Sequence, residues 1–234
     1  MSKRAIILAG GKGTRLKPYT ISLPKPLVPI GEVPILEIII RQLKSYGFDH
    51  ITITVNHLAD IIQAFFGDGK KWDIKIDYSL EDKALSTMGP LTLINDLPEN
   101  FLVMNGDVLT DLNFETFYNQ HITDGNNFTI GAFKRTDKVE YGVLIKNEKS
   151  ELIQFEEKPS KDYLVSMGVY MMNRKNLDFI PTNTFFGFDH LMNTLLKTKI
   201  LPKIYEFNGY WLDIGRPADY ERAIEEFDSN SFFK

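Results

Sequence analysis

Between residues 4 and 104 the sequence alternates two hydrophobic periods, and that alternation limits the fold more than any other feature. Residues 4–8 (Arg-Ala-Ile-Ile-Leu) form a short apolar run suited to a buried strand. Residues 34–46 follow a helical period, with Leu36, Ile39, Ile40 and Leu43 on one face and Gly47 as the stop. Residues 51–55 return to a β-branched strand pattern. Leu58, Ile61, Ile62, Phe65 and Phe66 then repeat at helical spacing up to Gly67-Asp68-Gly69. Residues 74–78 and 101–104 predict two more strands. Strands separated by helices predict an α/β fold: a mostly parallel sheet covered by helices, with ligands at the carboxyl ends of the strands. After residue 125 the strand patterns crowd together, at 128–134, 141–145, 152–156 and 164–172, with a turn at 147–150. They predict a mixed or antiparallel extension of the same sheet, and helices return near 188–198 and 217–227. No repeat, low-complexity stretch or linker interrupts the chain. We read one domain over 1–234 with two functional halves, 1–125 and 126–234.

The first strand opens into Leu8-Ala9-Gly10-Gly11-Lys12-Gly13-Thr14-Arg15-Leu16. Glycines let backbone N–H groups approach phosphate oxygens without an intervening Cβ, and Lys12 and Arg15 can neutralise the charge. The spacing is not that of a P-loop, which needs Gly-x4-Gly-Lys-Ser/Thr. It does not fit the dinucleotide fingerprint either, because no helix follows: Pro18, Pro24, Pro26 and Pro29 hold the chain out of helix until about residue 34. The strand that would end in a ribose-binding acid ends in Asn56-His57, so a nicotinamide dehydrogenase is not expected.

Charge points the same way. The chain carries a formal net charge of −4, yet residues 1–31 hold six cations (Lys3, Arg4, Lys12, Arg15, Lys17, Lys25) and no carboxylate. An acidic protein with a basic, glycine-rich entrance suits a small polyanion and lacks the basic face of a nucleic-acid coat. There is no cysteine, which excludes disulfides, thiol catalysis and Cys-zinc sites. No apolar run is long enough to span a bilayer and no signal peptide is visible. A cytoplasmic protein without nucleic-acid or membrane partners is the expectation; a homodimer is left open.

Two aspartates sit where a metal would be useful. Asp107 follows the 101–104 strand in Asn105-Gly106-Asp107, and Asp213 stands between apolar residues in Trp211-Leu212-Asp213-Ile214-Gly215. Burying a bare carboxylate is costly, and a shared Mg²⁺ would offset that cost; backbone N–H groups are the other solution. The four histidines (His50, His57, His121, His190) lie in ordinary helix or turn contexts and receive no catalytic role.

The long pattern Gly-Gly-x-Gly-Thr-Arg-Leu-x-Pro-x-Thr-x3-Pro-Lys-Pro over residues 10–26 closely resembles the signature of sugar-1-phosphate nucleotidyltransferases. Further matches are Gly106-Asp107, Tyr141-Gly142-Val143, Phe155-Glu156-Glu157-Lys158-Pro159 and Asp213-Ile214-Gly215. Together they run from residue 5 to about 223. The resemblance implies a Rossmann-like three-layer α/β/α core with a mixed, mostly parallel central sheet. It implies catalytic roles for Arg15, Lys25, Asp107 and Asp213, with Mg²⁺ on the two aspartates. A nucleotide pocket is implied at Leu8, Ala9, Gly10, Gly11, Gly13, Thr14, Glu81, Ser86, Thr87 and Gly89. A sugar-phosphate pocket is implied at Gly142, Glu157, Lys158 and Gly168. Substrates would be a nucleoside triphosphate and a sugar 1-phosphate.

Gly89-Pro90-Leu91 and Asp213-Ile214-Gly215-Arg216-Pro217 look most like mannose-1-phosphate guanylyltransferases, and Glu81 could accept from guanine N1–H and N2–H₂; an exposed loop acid is the plainer reading of Glu81. Two positions depart from the family pattern. Ser86 stands where Gly-Thr-x-Gly is common, and Ser166-Met167-Gly168 replaces Asn-x-Gly, which leaves the sugar open. A uridylyl- or thymidylyltransferase, or a silent nucleotide-sugar-binding regulator, remain the other readings. The sequence has no C-terminal β-helix pattern, so neither acyltransferase activity nor that domain's trimer contacts are expected.

Overall fold

A computed structural model describes residues 2–229; Met1, at the head of the basic N-terminus, lies outside them. Seven strands build the central sheet: β1 (Arg4–Leu8), β2 (His50–Val55), β3 (Lys75–Leu80), β4 (Asn100–Asn105), β5 (Phe128–Lys138), β6 (Ser160–Asn173) and β7 (Lys203–Phe207). Their spatial order is β7-β5-β6-β4-β1-β2-β3. β1 runs parallel to β2 and β4, β2 to β3, and β5 to β7, whereas β6 is antiparallel to both β4 and β5. The fold is Rossmann-like, with a mixed and mostly parallel sheet.

Side-chain alternation along the strands feeds one core on each face, which makes three layers. Ala5 and Ile7 face one core with helices α1 (Ile35–Ser45), α2 (Ala59–Phe66) and α3 (Phe114–Thr123). Ile6 and Val103 face the other, with Met88, Leu91 and the Leu191 and Leu195 side chains of α4 (Phe188–Lys197). A fifth helix, α5 (Pro217–Ser229), packs Tyr220 and Ala223 into the first core. No helix among the described residues is long and apolar enough to cross a membrane.

Three differences from the sequence reading have physical causes. The 141–145 and 152–156 runs do not extend the sheet. They form a separate antiparallel ribbon, Val143–Lys146 with Leu152–Glu156, because β5 and β6 are long enough to pair with each other across that edge. The ribbon leaves Leu144, Leu152, Ile153 and Phe155 exposed. Helix α3 and strand β7 were not anticipated: α3 carries only a weak apolar stripe, and β7 interleaves Lys203 and Glu206 at a sheet edge. The strand order, not the chain direction, reverses at β1: the chain steps outward from β1 to β2 and β3, then returns to β4 on the other side of β1, still parallel to it. In open α/β sheets ligands bind in the crevice outside the strand ends at such a switch point.

Candidate active site

The carboxyl ends of β1 and β4 lie side by side. Gly106 N–H donates to the Leu8 carbonyl (2.9 Å), and Ala9 N–H donates to that of Thr54 on β2 (3.0 Å). The Gly10–Pro26 loop therefore leaves the sheet beside Asn105-Gly106-Asp107. It is a shaped loop. Gly13 adopts φ +60° and opens a single 3₁₀ turn, Thr14–Leu16, whose Leu16 is fully buried. Thr20 Oγ1 donates to the Gly13 carbonyl at 2.7 Å. A Cβ at Gly13 would lie 3.0 Å from Thr20 and 3.1 Å from Lys25, so packing as well as backbone angle calls for glycine here. Gly11 faces open space: nothing lies within 4 Å of a Cβ built on it. Thr14, Arg15 and Lys12 are exposed around that opening.

The loop returns through a second short turn, Lys25–Leu27, which delivers Lys25 to Asp107. Lys25 Nζ forms an ion pair with Asp107 Oδ2, and both side chains are largely buried. Asp107 Oδ1 is buried with no hydrogen-bond partner. An orphaned carboxylate oxygen at a strand end is costly unless something else binds it. Asp213 arrives from the far end of the sequence on a three-residue antiparallel ladder, Trp211–Asp213 against Val108–Thr110, in which it stands opposite Val108. Ile214 N–H donates to the Asp107 carbonyl at 3.0 Å, closing the ladder beside the site.

Asp213 is exposed to the cleft, yet its carboxyl is pushed above its ordinary range. Partial loss of solvent is the first cause and repulsion from Asp107 the second, with Lys25 and Arg15 pulling the other way. For a residue this open the repulsion from Asp107 is the firmer of the two causes. Two converging carboxylates, one with an unpaired oxygen, fit a hard cation that completes its shell with phosphate and water oxygens. Among the described residues no third His, Cys, Asp or Glu joins them, so the protein would supply a two-carboxylate Mg²⁺ site.

Glu81 is buried rather than an exposed loop acid, because it sits at the end of β3 between Asn56 and Gly10. Its Oε2 accepts from Leu85 N–H (3.1 Å), and a Cβ at Gly10 would lie 2.6 Å from Oε1. Burial pushes the Glu81 carboxyl up, against the Leu85 N–H that stabilises its charged form. Ser86 stands in the left-handed region at φ +66°. Thr87 Oγ1 accepts from Phe188 N–H (2.8 Å), and Gly89 N–H donates to the Phe186 carbonyl (2.9 Å). Thr87 and Gly89 thus anchor the start of α4, and a Cβ at Gly89 would lie 2.5 Å from the Thr184 carbonyl.

In the second half of the chain, Gly168 sits at φ +72° in a bulge where β6 takes four steps, Ser166 to Tyr170, against two on β5. A Cβ there would lie 2.5 Å from Asn105 Nδ2. Ser166 Oγ and Tyr170 Oη lie 3.1 Å apart. Gly142 packs under Phe155, where a Cβ would lie 2.7 Å from the ring, with Glu157 Oε2 at 3.3 Å. Lys158 is exposed at φ +46°. Gly142, Glu157 and Lys158 therefore cluster at the base of the separate ribbon, while Gly168 lies on the sheet beside Asn105.

Sequence reasoning did not single out Asn105, Asn56 or Tyr170. Arg216 entered only as part of the Asp213-Ile214-Gly215-Arg216-Pro217 motif and was given no role of its own. His50 opens strand β2 instead of lying in a helix or turn, and its Nε2 lies 2.6 Å from Asp77 Oδ2, well away from the loop.

A glycine loop, two carboxylates and a largely buried lysine meet at the switch point of a doubly covered α/β sheet. The chain belongs to the nucleotidyl transferase family, whose model matches residues 4–230. It is 33% identical to a UTP--glucose-1-phosphate uridylyltransferase of Synechocystis, over 94% of this chain and 62% of that protein. It is equally 33% identical to a probable mannose-1-phosphate guanylyltransferase 1 of Oryza sativa, over 93% of this chain and 62% of that one. The chain thus spans less than two thirds of the length of these relatives. The crystal structure of HddC from Yersinia pseudotuberculosis complexed with GMP-PN superposes with a TM-score of 0.74 at 27% identity, covering 96% of this chain and 99% of that one.

Proposed function

We propose that the protein transfers a nucleotidyl group from a nucleoside triphosphate to a sugar 1-phosphate, with GTP and mannose 1-phosphate or a close relative as the preferred pair. The observation that carries this reading is the convergence of Lys25, Asp107 and Asp213 beside the open Gly11 turn. In the reaction an oxygen of the sugar 1-phosphate attacks the α-phosphorus. The α–β bridging bond breaks, and its electron pair leaves with pyrophosphate. The attacking oxygen is already anionic at neutral pH, so no general base is required. Two polyanions must instead be brought together and the leaving charge met, which is electrostatic and positional work.

In this proposal the Gly10–Thr14 backbone and Arg15 hold the triphosphate. Lys25 lies at the reacting centre, and Lys158 holds the sugar phosphate. Glu157 and the Gly142 and Gly168 backbones orient the sugar. Asp107 and Asp213 would hold Mg²⁺, which when bound neutralises phosphate charge. Residues 1–125 chiefly serve the nucleotide and 126–234 the acceptor, in a cytoplasmic setting.

The base preference rests on buried Glu81, whose free oxygen faces Gly10 and could take two guanine donors. The relative named as a uridylyltransferase is as similar as the one named as a guanylyltransferase, so a UTP or dTTP enzyme acting on glucose 1-phosphate is the second reading. Mg²⁺-dependent pyrophosphate release, measured for GTP, ATP, CTP, UTP and dTTP against several sugar 1-phosphates, tests both. GTP turnover that falls by about tenfold or more in Glu81→Gln supports the guanine reading. A peak with UTP or dTTP keeps the chemistry and removes that role from Glu81. Silence across the grid, with a nucleotide sugar still bound, turns the reading to a regulator.

A further inference from the structure

A cavity of about 490 Å³ adjoins the proposed reacting centre, sharing Arg15 and Asp213 with it. Its cations are Arg15, Arg135, Arg216 and Arg222, and its acids are Asp213 and Asp219. The wall is thus net positive by two charges, in a chain whose formal net charge is −4. Two of the arginines are partly engaged. Arg222 Nε pairs with Glu226 at 2.6 Å, and Arg135 Nε pairs with Asp137 at 2.7 Å, in each case through the inner nitrogen. Among the described residues neither Arg15 nor Arg216 forms a salt bridge. The N-terminal end of the thirteen-residue helix α5 opens on the same cavity, since Gly215, Arg216 and Asp219 all line it. Its macrodipole adds positive potential there.

An aromatic wall completes the cavity. Phe133 and Trp211 pack with ring centroids 5.3 Å apart, and Trp211 Nε1–H donates to the Met167 carbonyl at 2.9 Å, which fixes the indole plane. Guanidinium groups recognise oxyanions through paired N–H donors, and a fixed aromatic face suits the apolar side of a sugar ring. Catalysis as proposed above needs Arg15 and Asp213 but assigns nothing to Arg135, Arg216, Phe133 or Trp211.

We propose that this cavity is a second oxyanion subsite, built by Arg216 and Arg135, that takes a phosphate or carboxylate group other than the one that reacts. The acceptor would then be a sugar 1-phosphate carrying a further acidic substituent, with its ring against Trp211. The same chemistry could be presented by pyrophosphate as it leaves. The inference rests on the proposed nucleotidyl transfer, and the experiment separates the two.

In the forward direction, kcat/KM is compared for mannose 1-phosphate, mannose 1,6-bisphosphate and glucuronic acid 1-phosphate with wild type, Arg216→Gln and Arg135→Gln. The expected result is a preference of about tenfold or more for the two acceptors that carry a second acidic group, lost in both variants while turnover of mannose 1-phosphate is unchanged. Pyrophosphate binding, measured by calorimetry on the same three proteins, is the second arm. Weaker pyrophosphate binding in the variants, without acceptor discrimination, assigns the subsite to the leaving group. Variants that match wild type in both arms overturn the subsite. Should no sugar 1-phosphate react, the proposed function fails, and the calorimetric arm alone decides the subsite.

Discussion

Asp213 illustrates how a residue proposed to bind metal can strain the protein that carries it. Its pKa is raised in the fold, so its ionised form is the one the fold disfavours. The cost is absent below the ordinary carboxylate range and present in full once pH exceeds the raised value. In chelator at pH 7, Asp213→Asn should therefore melt above wild type, and the gap should close as pH falls towards 4. Added Mg²⁺ should raise the melting temperature of wild type more than that of the variant, while the variant loses turnover. A metal-free variant that melts below wild type would sink the repulsion argument. Ser86 is a second strained residue. A side chain at φ +66° costs about 1 kcal/mol relative to glycine, so Ser86→Gly should stabilise the protein by about that amount in denaturant melts.

At the scale of elements, buried His121 ties helix α3 to the sheet. Its Nε2–H donates to Asn100 Oδ1 (3.2 Å) on β4, and its Nδ1 accepts from Thr129 Oγ1 (2.8 Å) on β5. Burial lowers its pKa to about 4, with Asp124 opposing weakly. A lowered histidine pKa gives stability that is complete above 6.5 and lost as pH falls towards 4, about 3 kcal/mol in all. His121→Gln should flatten that part of the stability–pH curve. The bulge in β6 makes a separate claim: Gly168→Ala, at positive φ and against Asn105, should cost about 2 kcal/mol and lower kcat more than it raises KM. These elements also show what the sequence could and could not disclose. β1, β2, β4 and α1 were legible because unbroken apolar runs and a clear helical period leave little choice of structure. Helix α3 was not, since its interior face includes His121, which looks polar until Thr129 and Asn100 are seen to satisfy it. The glycine loop and both aspartates stood out in the sequence, but the roles proposed for them came from the family resemblance. The burial of Glu81 could not, because only the approach of Gly10 to the end of β3 encloses it. Arg135 and Arg216 lie far apart in sequence, and only the fold brings them to one cavity.

Across the whole molecule, charge is segregated. A net acidic chain gathers six cations and no carboxylate in residues 3–25, of which Lys3, Arg4 and Lys25 pair with Glu115, Asp96 and Asp107, and four arginines around the cavity. Such a field accelerates encounter with polyanions and is screened within about 10 Å at 0.1 M salt. Raising ionic strength should therefore lower kcat/KM for the triphosphate while leaving kcat almost unchanged; equal loss in both would show that the field acts on chemistry and not on capture. The ladder that pairs Trp211–Asp213 with Val108–Thr110 has a consequence for how the molecule comes to exist. Asp107 is in place as soon as β1 and β4 pair, but Asp213 waits for a segment made much later than either strand. During synthesis β1 and β4 can pair and the glycine loop take shape while the proposed metal site has only one of its two carboxylates. On the proposed function, an intermediate of this kind would be partly folded and chemically inert. Competence would come only when that short ladder zips closed.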